Sequence, residues 1–135
     1  MYGSAKFLFK FNKNKTGLFS ISKRVAGSKN GLKIRIFGDK GSFEWFQEYP
    51  ENLQYSNHLG QTFTIDRSSK NFECNKKRYN RYKSGHPSGF IEAMSNMYDD
   101  LYYSIKKNKK NQFVSDFKDS FHNVTFFENA LNSFQ

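Results

Sequence analysis

One segment of the chain, RYNRYKSGHPSGF between Arg78 and Phe90, combines residue types suited to binding a small polar ligand. Its arginines are able to clamp an anion through paired hydrogen bonds, and its tyrosines are able to stack on a sugar or a base. Its histidine precedes a predicted helix and could donate to a ligand or cap that helix. The candidate substrate-binding residues are Arg78, Tyr79, Arg81, Tyr82 and His86. The alternative interpretation is an ordered loop-to-helix entry with no ligand.

Other reactive residues are too scattered to predict a second site. His58, His86 and His122 lie far apart, and none has a neighbouring cysteine or carboxylate at metal-ligand spacing. We therefore predict no metal site. The one cysteine, Cys74, has no histidine beside it and no partner for an internal disulfide, so we expect a spectator thiol in a reduced, cytoplasmic setting. Asp99 and Asp100 are expected to face solvent on a helix.

Composition bounds the class of protein. The 135 residues include 22 Lys and Arg against 12 Asp and Glu, a formal net charge of +10. Aromatic residues make up 19% of the chain, which is too many for a disordered basic tail. Basic and aromatic residues together are typical of single-stranded nucleic-acid binders. The lysines are nevertheless spread along the whole chain, so we keep a free-standing nucleic-acid-binding module only as an alternative, beside a purely structural association domain.

The sequence lacks the motifs of nucleotide-binding proteins and the long apolar runs of membrane proteins. No Gly-x-Gly-x-x-Gly and no Gly-x-x-x-x-Gly-Lys occurs, so the chain alone is expected to bind no nucleotide cofactor. No apolar run approaches the roughly 20 residues that a membrane helix needs, so no membrane partner is predicted.

The elements that position the candidate residues are read from hydrophobic periodicity. Residues 5–66 alternate apolar and polar side chains with a period of two, which predicts about six antiparallel strands. A two-residue loop at Asp39 and Lys40 would place Ile36 opposite Phe43, and would pair Arg35 with Glu44 on the other face.

Two amphipathic helices are predicted after a long basic segment, residues 67–86. The first begins at Pro87, repeats apolar residues at intervals of three and four through Ile105, and ends in a lysine-rich stretch. The second has Asp116 as its N-cap and an apolar stripe that extends to Phe134. We predict a single α+β domain over residues 1–135. It would be an open, predominantly antiparallel sheet with both C-terminal helices packed on one apolar face, which includes Phe9, Ile34 and Ile36.

Three segments resemble the C-terminal domain of the Gfo/Idh/MocA family, the relatives of glucose–fructose oxidoreductase and inositol dehydrogenase. They are KIRIFGDKGSFEWFQEYPENL (33–53), GHPSGFIEAMSNMYDDLYYSI (85–105) and FKDSFHNVTFFENALNSFQ (117–135). They occur in the family's order. Ser88 and Ser120 stand where many relatives carry Glu and Gly, which puts a glutamate contact at position 88 in doubt.

The resemblance implies part of an NAD- or NADP-dependent oxidoreductase that acts on a sugar or cyclitol. In this family a nucleotide-binding Rossmann domain precedes the sheet domain, and no position here matches the family's Glu-Lys-Pro lysine or its Asp/His proton-transfer pair. No catalytic residue is therefore carried over, and the chain is expected to be inactive alone. The resemblance assigns it one wall of the substrate site.

The resemblance also implies that the open sheet associates subunits. The sheet face directed away from the helices carries mixed polar and charged residues that suit a self-complementary two-fold contact, although they would also suit water. The candidate residues of this homo-oligomer interface are Lys33, Arg35, Glu44 and Phe46.

Overall fold

The computed structural model describes residues 3–11, 14–70, 72 and 76–133. Its elements are β1 (Ser4–Phe11), β2 (Lys15–Ser22), β3 (Lys33–Gly38), β4 (Gly41–Phe46), β5 (Leu53–Asn57), β6 (Thr62–Ile65), α1 (Phe90–Lys107) and α2 (Phe117–Asn132). The predicted α+β class is confirmed, with six antiparallel strands followed by two helices. The strands form two sheets, one of β1 and β2 and one in the order β3-β4-β5-β6. Cys74 and Phe134 lie outside the described residues.

The chain divides into two compact units. One comprises residues 1–29 and 115–135, and the other comprises residues 30–114. In the first unit, β1 pairs with β2 so that Phe7 lies opposite Phe19. The rings of Phe126 in α2 and Phe9 in β1 meet edge to face, with 6.4 Å between ring centroids. Helix α2 therefore contacts the apolar side of this strand pair at Phe9.

The start of α2 confirms the predicted N-cap. The Asp119 backbone N–H donates to the Asp116 carboxylate at 2.9 Å, and the Asp116 N–H donates back to the Asp119 carboxylate at 3.1 Å. This reciprocal capping satisfies two backbone donors that the first helical turn leaves unpaired.

The predicted hairpin register is confirmed in the second unit. Ile36 lies opposite Phe43, Arg35 opposite Glu44 and Ile34 opposite Trp45. The turn depends on Gly41, which has φ +157° and approaches β5 so closely that an added Cβ would lie 2.5 Å from the Ser56 carbonyl oxygen. A glycine is required here because any side chain would enter the neighbouring strand.

The apolar face of the four-stranded sheet is an aromatic ladder. Phe43, Tyr55 and Phe63 follow one another across β4, β5 and β6, with ring centroids 5.0 and 6.2 Å apart. Ile34 and Ile36 on the same face are 45% and 60% exposed.

Helix α1 begins three residues later than its sequence pattern indicates. Gly89 is the N-cap, so Pro87 precedes the helix and does not occupy its first turn. The Gly89 N–H donates to the Glu92 carboxylate at 2.8 Å, and His86 takes no part in this cap. The helix ends as predicted in the lysine-rich stretch, at Asn108 in the left-handed conformation. Neither described helix is apolar enough over a sufficient length to cross a membrane.

Burial is concentrated on charged residues instead of apolar ones. Among the described residues, the buried ones are Ile65, Arg67 and Asp100, at 6%, 8% and 4% exposure. A charged group this buried is tolerated only when it is paired and hydrogen-bonded. The partners of Arg67 and Asp100 are therefore the natural starting point for locating a functional site.

Candidate functional site

An ion pair fixes the 76–86 segment to helix α1. The Arg78 guanidinium donates from both Nη atoms to Asp100, at 3.1 Å to Oδ1 and 2.7 Å to Oδ2. The Asn111 amide donates to the same Oδ1 at 2.8 Å. The guanidinium also lies over the rings of Tyr79 and Phe113, 5.1 and 5.3 Å from their centroids. This arrangement satisfies the carboxylate and places the arginine against two aromatic rings.

The ion pair changes the proton affinity of both partners. Hydrogen bonding from Arg78 is the main cause that holds the pKa of Asp100 below its ordinary value of 3.8, against the opposing effect of burial. The same hydrogen bond raises the pKa of Arg78. Asp100 is therefore a permanent anion near neutral pH. Its position corrects the sequence interpretation, which placed it in solvent.

Arg67 fixes the opposite side of the 76–86 segment. Its Nε donates to the Glu51 carboxylate in the β4–β5 connection. Its Nη1 donates to the Tyr82 carbonyl at 3.3 Å, and its Nη2 donates to the His86 carbonyl at 2.6 Å. The Asn80 amide donates to the Arg67 carbonyl at 3.1 Å. A single buried side chain thus joins the sheet to two points of the segment's backbone.

A third, more exposed pair adds to this attachment. Arg81 Nη2 donates to the Asp99 carboxylate at 2.6 Å and to the Asn96 amide oxygen at 3.0 Å. The side chains of Arg81 and Asp99 are 38% and 57% exposed. An exposed pair of this kind contributes about 0.2–1 kcal/mol, so it supports the loop less than the buried anchors do.

The five candidate substrate-binding residues therefore lie on one ordered segment, with different surroundings. Arg78 and Arg81 are engaged by carboxylates, and Tyr79 is half-buried against Arg78. Tyr82 is 55% exposed. His86 is also exposed, with its Nδ1 atom 3.2 Å from the Lys83 carbonyl oxygen. Tyr82 and His86 thus present polar side chains to solvent from a backbone that Arg67 holds.

Sequence reasoning missed Arg67, Glu51 and Asp100. One signal was present, because Glu92, Asn96, Asp99 and Asp100 follow one another at helical spacing and form a continuous polar face on α1. That face complements the arginine-rich segment. No local pattern marks Arg67 or Glu51, whose partners lie 15 to 19 residues away.

Two other surfaces lie on the four-stranded sheet. On its polar face Glu44 bridges Lys33 at 3.1 Å and Arg35 at 2.9 Å, and all three side chains are substantially exposed. Near the β3–β4 turn an open apolar cleft of about 680 Å³ is lined by the turn residues with Phe43, Tyr55 and Phe72. Over the described ranges, His, Cys, Asp and Glu form no group of three able to hold a metal ion.

Acidification is expected to weaken this fold. The pKa of Asp100 is lowered chiefly by Arg78, that of Glu92 by the Gly89 N–H and that of Asp66 by the Ser68 hydroxyl. A carboxyl group whose pKa is lower in the folded state stabilises the fold above its unfolded pKa, and that contribution is lost as the pH falls through the folded value. The ordinary values are 3.8 for Asp and 4.5 for Glu.

We therefore expect the free energy of unfolding to decline below about pH 4.5. Urea denaturation at pH 7, 5, 4 and 3 measures the decline, and the Asp100→Asn variant should show a shallower one. A stability that is constant or rising between pH 5 and pH 3 would contradict this assignment of the carboxylates.

The comparisons with known proteins agree with the architecture. Residues 5–135 match the family model described as the C-terminal alpha/beta domain of the Gfo/Idh/MocA oxidoreductase family. The chain thus has the fold of the C-terminal domain of an oxidoreductase family. It belongs to the Gfo/Idh/MocA family, as its sequence motifs indicated.

Individual relatives are consistent with this membership. The chain is 31% identical over 111 residues to YfiI, an uncharacterised oxidoreductase of Bacillus subtilis strain 168, with 81% of this chain and 27% of YfiI covered. An oxidoreductase structure from Sinorhizobium meliloti superposes with a TM-score of 0.79 at 26% identity, covering 96% of this chain and 37% of that one.

An inositol dehydrogenase homologue from Azotobacter vinelandii, complexed with NAD+, superposes with a TM-score of 0.66 at 31% identity. The match covers 71% of this chain and 25% of the homologue. The chain therefore spans between a quarter and two-fifths of the length of these relatives.

Proposed function

We propose that this chain supplies the substrate side of an NAD- or NADP-dependent oxidoreductase acting on a sugar or cyclitol. Both compact units would act together as one C-terminal domain, and a Rossmann domain would supply the nucleotide and the proton-transfer residues. The family membership and the inositol dehydrogenase homologue support this class of substrate and cofactor. We place the protein in the cytoplasm, because a chain with a single cysteine is typical of a reducing compartment.

The observation that carries the proposal is the combination of an anchored 76–86 segment and two exposed side chains on it. Buried Arg67 holds its backbone carbonyls and buried Asp100 holds its Arg78 side chain, while Tyr82 and His86 are exposed. A polyol is bound by groups that hydrogen-bond its hydroxyls. Holding these groups at fixed positions favours binding, because ordering a mobile loop would reduce the affinity. In this arrangement Tyr82 and His86 contact the hydroxyl groups. Arg78, Tyr79 and Arg81 form the rest of the wall behind them.

Titration of the isotope-labelled chain with myo-inositol and with glucose tests the proposal by NMR. We expect shifts of the Tyr82 and His86 signals at millimolar polyol. Tyr98 and Tyr102, which are 59% and 56% exposed on α1, serve as internal controls and should not shift. NAD+ added to the same chain should produce no binding heat. Micromolar NAD+ binding, or polyol shifts confined to residues other than the 76–86 segment, would contradict the proposal.

We also propose that the polar face of the four-stranded sheet associates two copies of the chain. Glu44 lies between Lys33 and Arg35, so a second copy related by two-fold symmetry would meet opposite charges, and Phe46 would add apolar contact. Light scattering tests this over a range of concentrations. A dimer that Arg35→Glu disrupts is expected, and a monomer at every concentration would refute self-association.

A further inference from the structure

Arg67 connects the sheet to the candidate substrate segment, although no ligand-binding pattern includes it. It lies two residues after the end of β6 and is 8% exposed. Its guanidinium spans three separated places, because it donates to Glu51 before β5 and to the carbonyls of Tyr82 and His86. Those two carbonyls belong to the residues whose side chains the proposed function directs at the substrate.

The chemistry of this contact makes it specific to arginine. A planar guanidinium presents donors in a fixed fork, so one side chain is able to hold a carboxylate and two backbone carbonyls simultaneously. A lysine ammonium at the same place would keep the charge and the partner Glu51, but its shape does not reproduce the fork. Arg67 is therefore able to hold Tyr82 and His86 together because of the geometry of its donors, and not because of its charge alone.

We infer that Arg67 is a positioning residue, which sets the spacing of Tyr82 and His86 and thereby the affinity and selectivity for polyols. This inference rests on the proposed function. It goes beyond it by assigning substrate discrimination to a side chain that does not touch the substrate. The Arg78–Asp100 pair holds the other side of the segment and leaves these two carbonyls to Arg67.

The test compares the wild-type chain with Arg67→Lys and Glu51→Gln, and uses Asp99→Asn as a control that alters the exposed Arg81–Asp99 pair without replacing a residue of the proposed wall. Hydrogen exchange reports the anchoring, and myo-inositol titration reports the positioning. We expect amides 82–86 of Arg67→Lys to exchange at least tenfold faster, while those of β3–β5 are unchanged. We also expect at least fivefold weaker polyol binding. Glu51→Gln, which keeps the arginine, should show smaller effects in the same direction. This variant measures the anchoring role of Arg67 if Arg67→Lys does not fold.

The outcomes distinguish the role of Arg67 from the proposed polyol-binding function. Unchanged exchange in both variants would overturn the anchoring role. Faster exchange with unchanged polyol affinity would show that Arg67 is merely structural, and would overturn the inference while leaving the proposed function intact. A wild-type chain that binds no polyol would overturn the proposed function and with it the assignment of Arg67 to substrate discrimination, whereas the exchange data would still decide the anchoring.

Discussion

Replacing Asp100 with alanine is expected to lower the free energy of unfolding by about 2–3 kcal/mol. Removing one partner of a fully buried ion pair costs about 3–5 kcal/mol, because the remaining charge is left without compensation. Here 33% of the Arg78 side chain reaches solvent, so water recovers part of that loss. The Asn111 amide loses its acceptor as well. Urea denaturation at neutral pH measures the effect.

The neighbouring residue supplies a matched control. Asp99 pairs with Arg81 through a single hydrogen bond, and its side chain is 57% exposed. Asp99→Ala should therefore cost only about 0.2–1 kcal/mol. The double variant Arg78→Met/Asp100→Leu should be more stable than Asp100→Ala, since it leaves no unpaired charge. Equal losses for Asp99→Ala and Asp100→Ala would show that the buried pair is not an anchor.

Replacing Gly41 with alanine is expected to cost about 2–3 kcal/mol, the range for strained backbone combined with steric overlap. The new Cβ would lie 2.5 Å from the Ser56 carbonyl oxygen and 2.9 Å from the Tyr55 ring, and the residue has φ +157°. The backbone of β5 cannot move away without breaking the β4–β5 pairing in which Gly41 lies opposite Asn57. Thermal or urea denaturation measures the loss.

Gly38, at the other end of the same turn, is the control. An added Cβ there meets only the Gly41 carbonyl oxygen at 3.5 Å, which is an ordinary contact, and its φ is unexceptional. Gly38→Ala should change stability by less than about 1 kcal/mol. If both alanine variants were equally stable, the close approach of the turn to β5 would be refuted.

The parts of the fold that local patterns determine were predictable from the sequence. The β3–β4 register follows from Arg35 and Glu44 on one face and Ile36 and Phe43 on the other, since a one-residue slip would exchange both faces. The start of α2 follows from Asp116, because its carboxylate reaches a backbone donor within one turn. Both depend on neighbours a few residues away.

The parts that depend on distant partners were not predictable. Asp100 lies on the polar face of an amphipathic helix, so exposure was the natural expectation, and only the fold brings Arg78 to it across 22 residues. The Arg67 side chain has three partners at separations of 15 to 19 residues. The division of six strands into two sheets also depends on pairing between strands, which alternation alone does not specify.

The described residues are buried unevenly. Within the described ranges the most buried side chains are mainly charged anchors, whereas Ile34, Ile36 and Phe63 are 45–60% exposed. Large apolar surfaces of this kind mark interaction faces. We propose that the ion pairs keep the 76–86 segment in place while the exposed apolar faces are available to the remainder of a complete enzyme.

The most direct test of this account is an assay of NADH and NADPH production with myo-inositol and glucose, run with NAD+ and with NADP+. It compares the chain alone with the chain fused behind the nucleotide-binding part of the YfiI protein. The account predicts no reduced cofactor from the chain alone and polyol-dependent reduction of NAD+ or NADP+ by the fusion, with a KM for the polyol that Tyr82→Ala and His86→Ala raise. Cofactor reduction by the chain alone, or a fusion whose KM is unaffected by both substitutions, would contradict it.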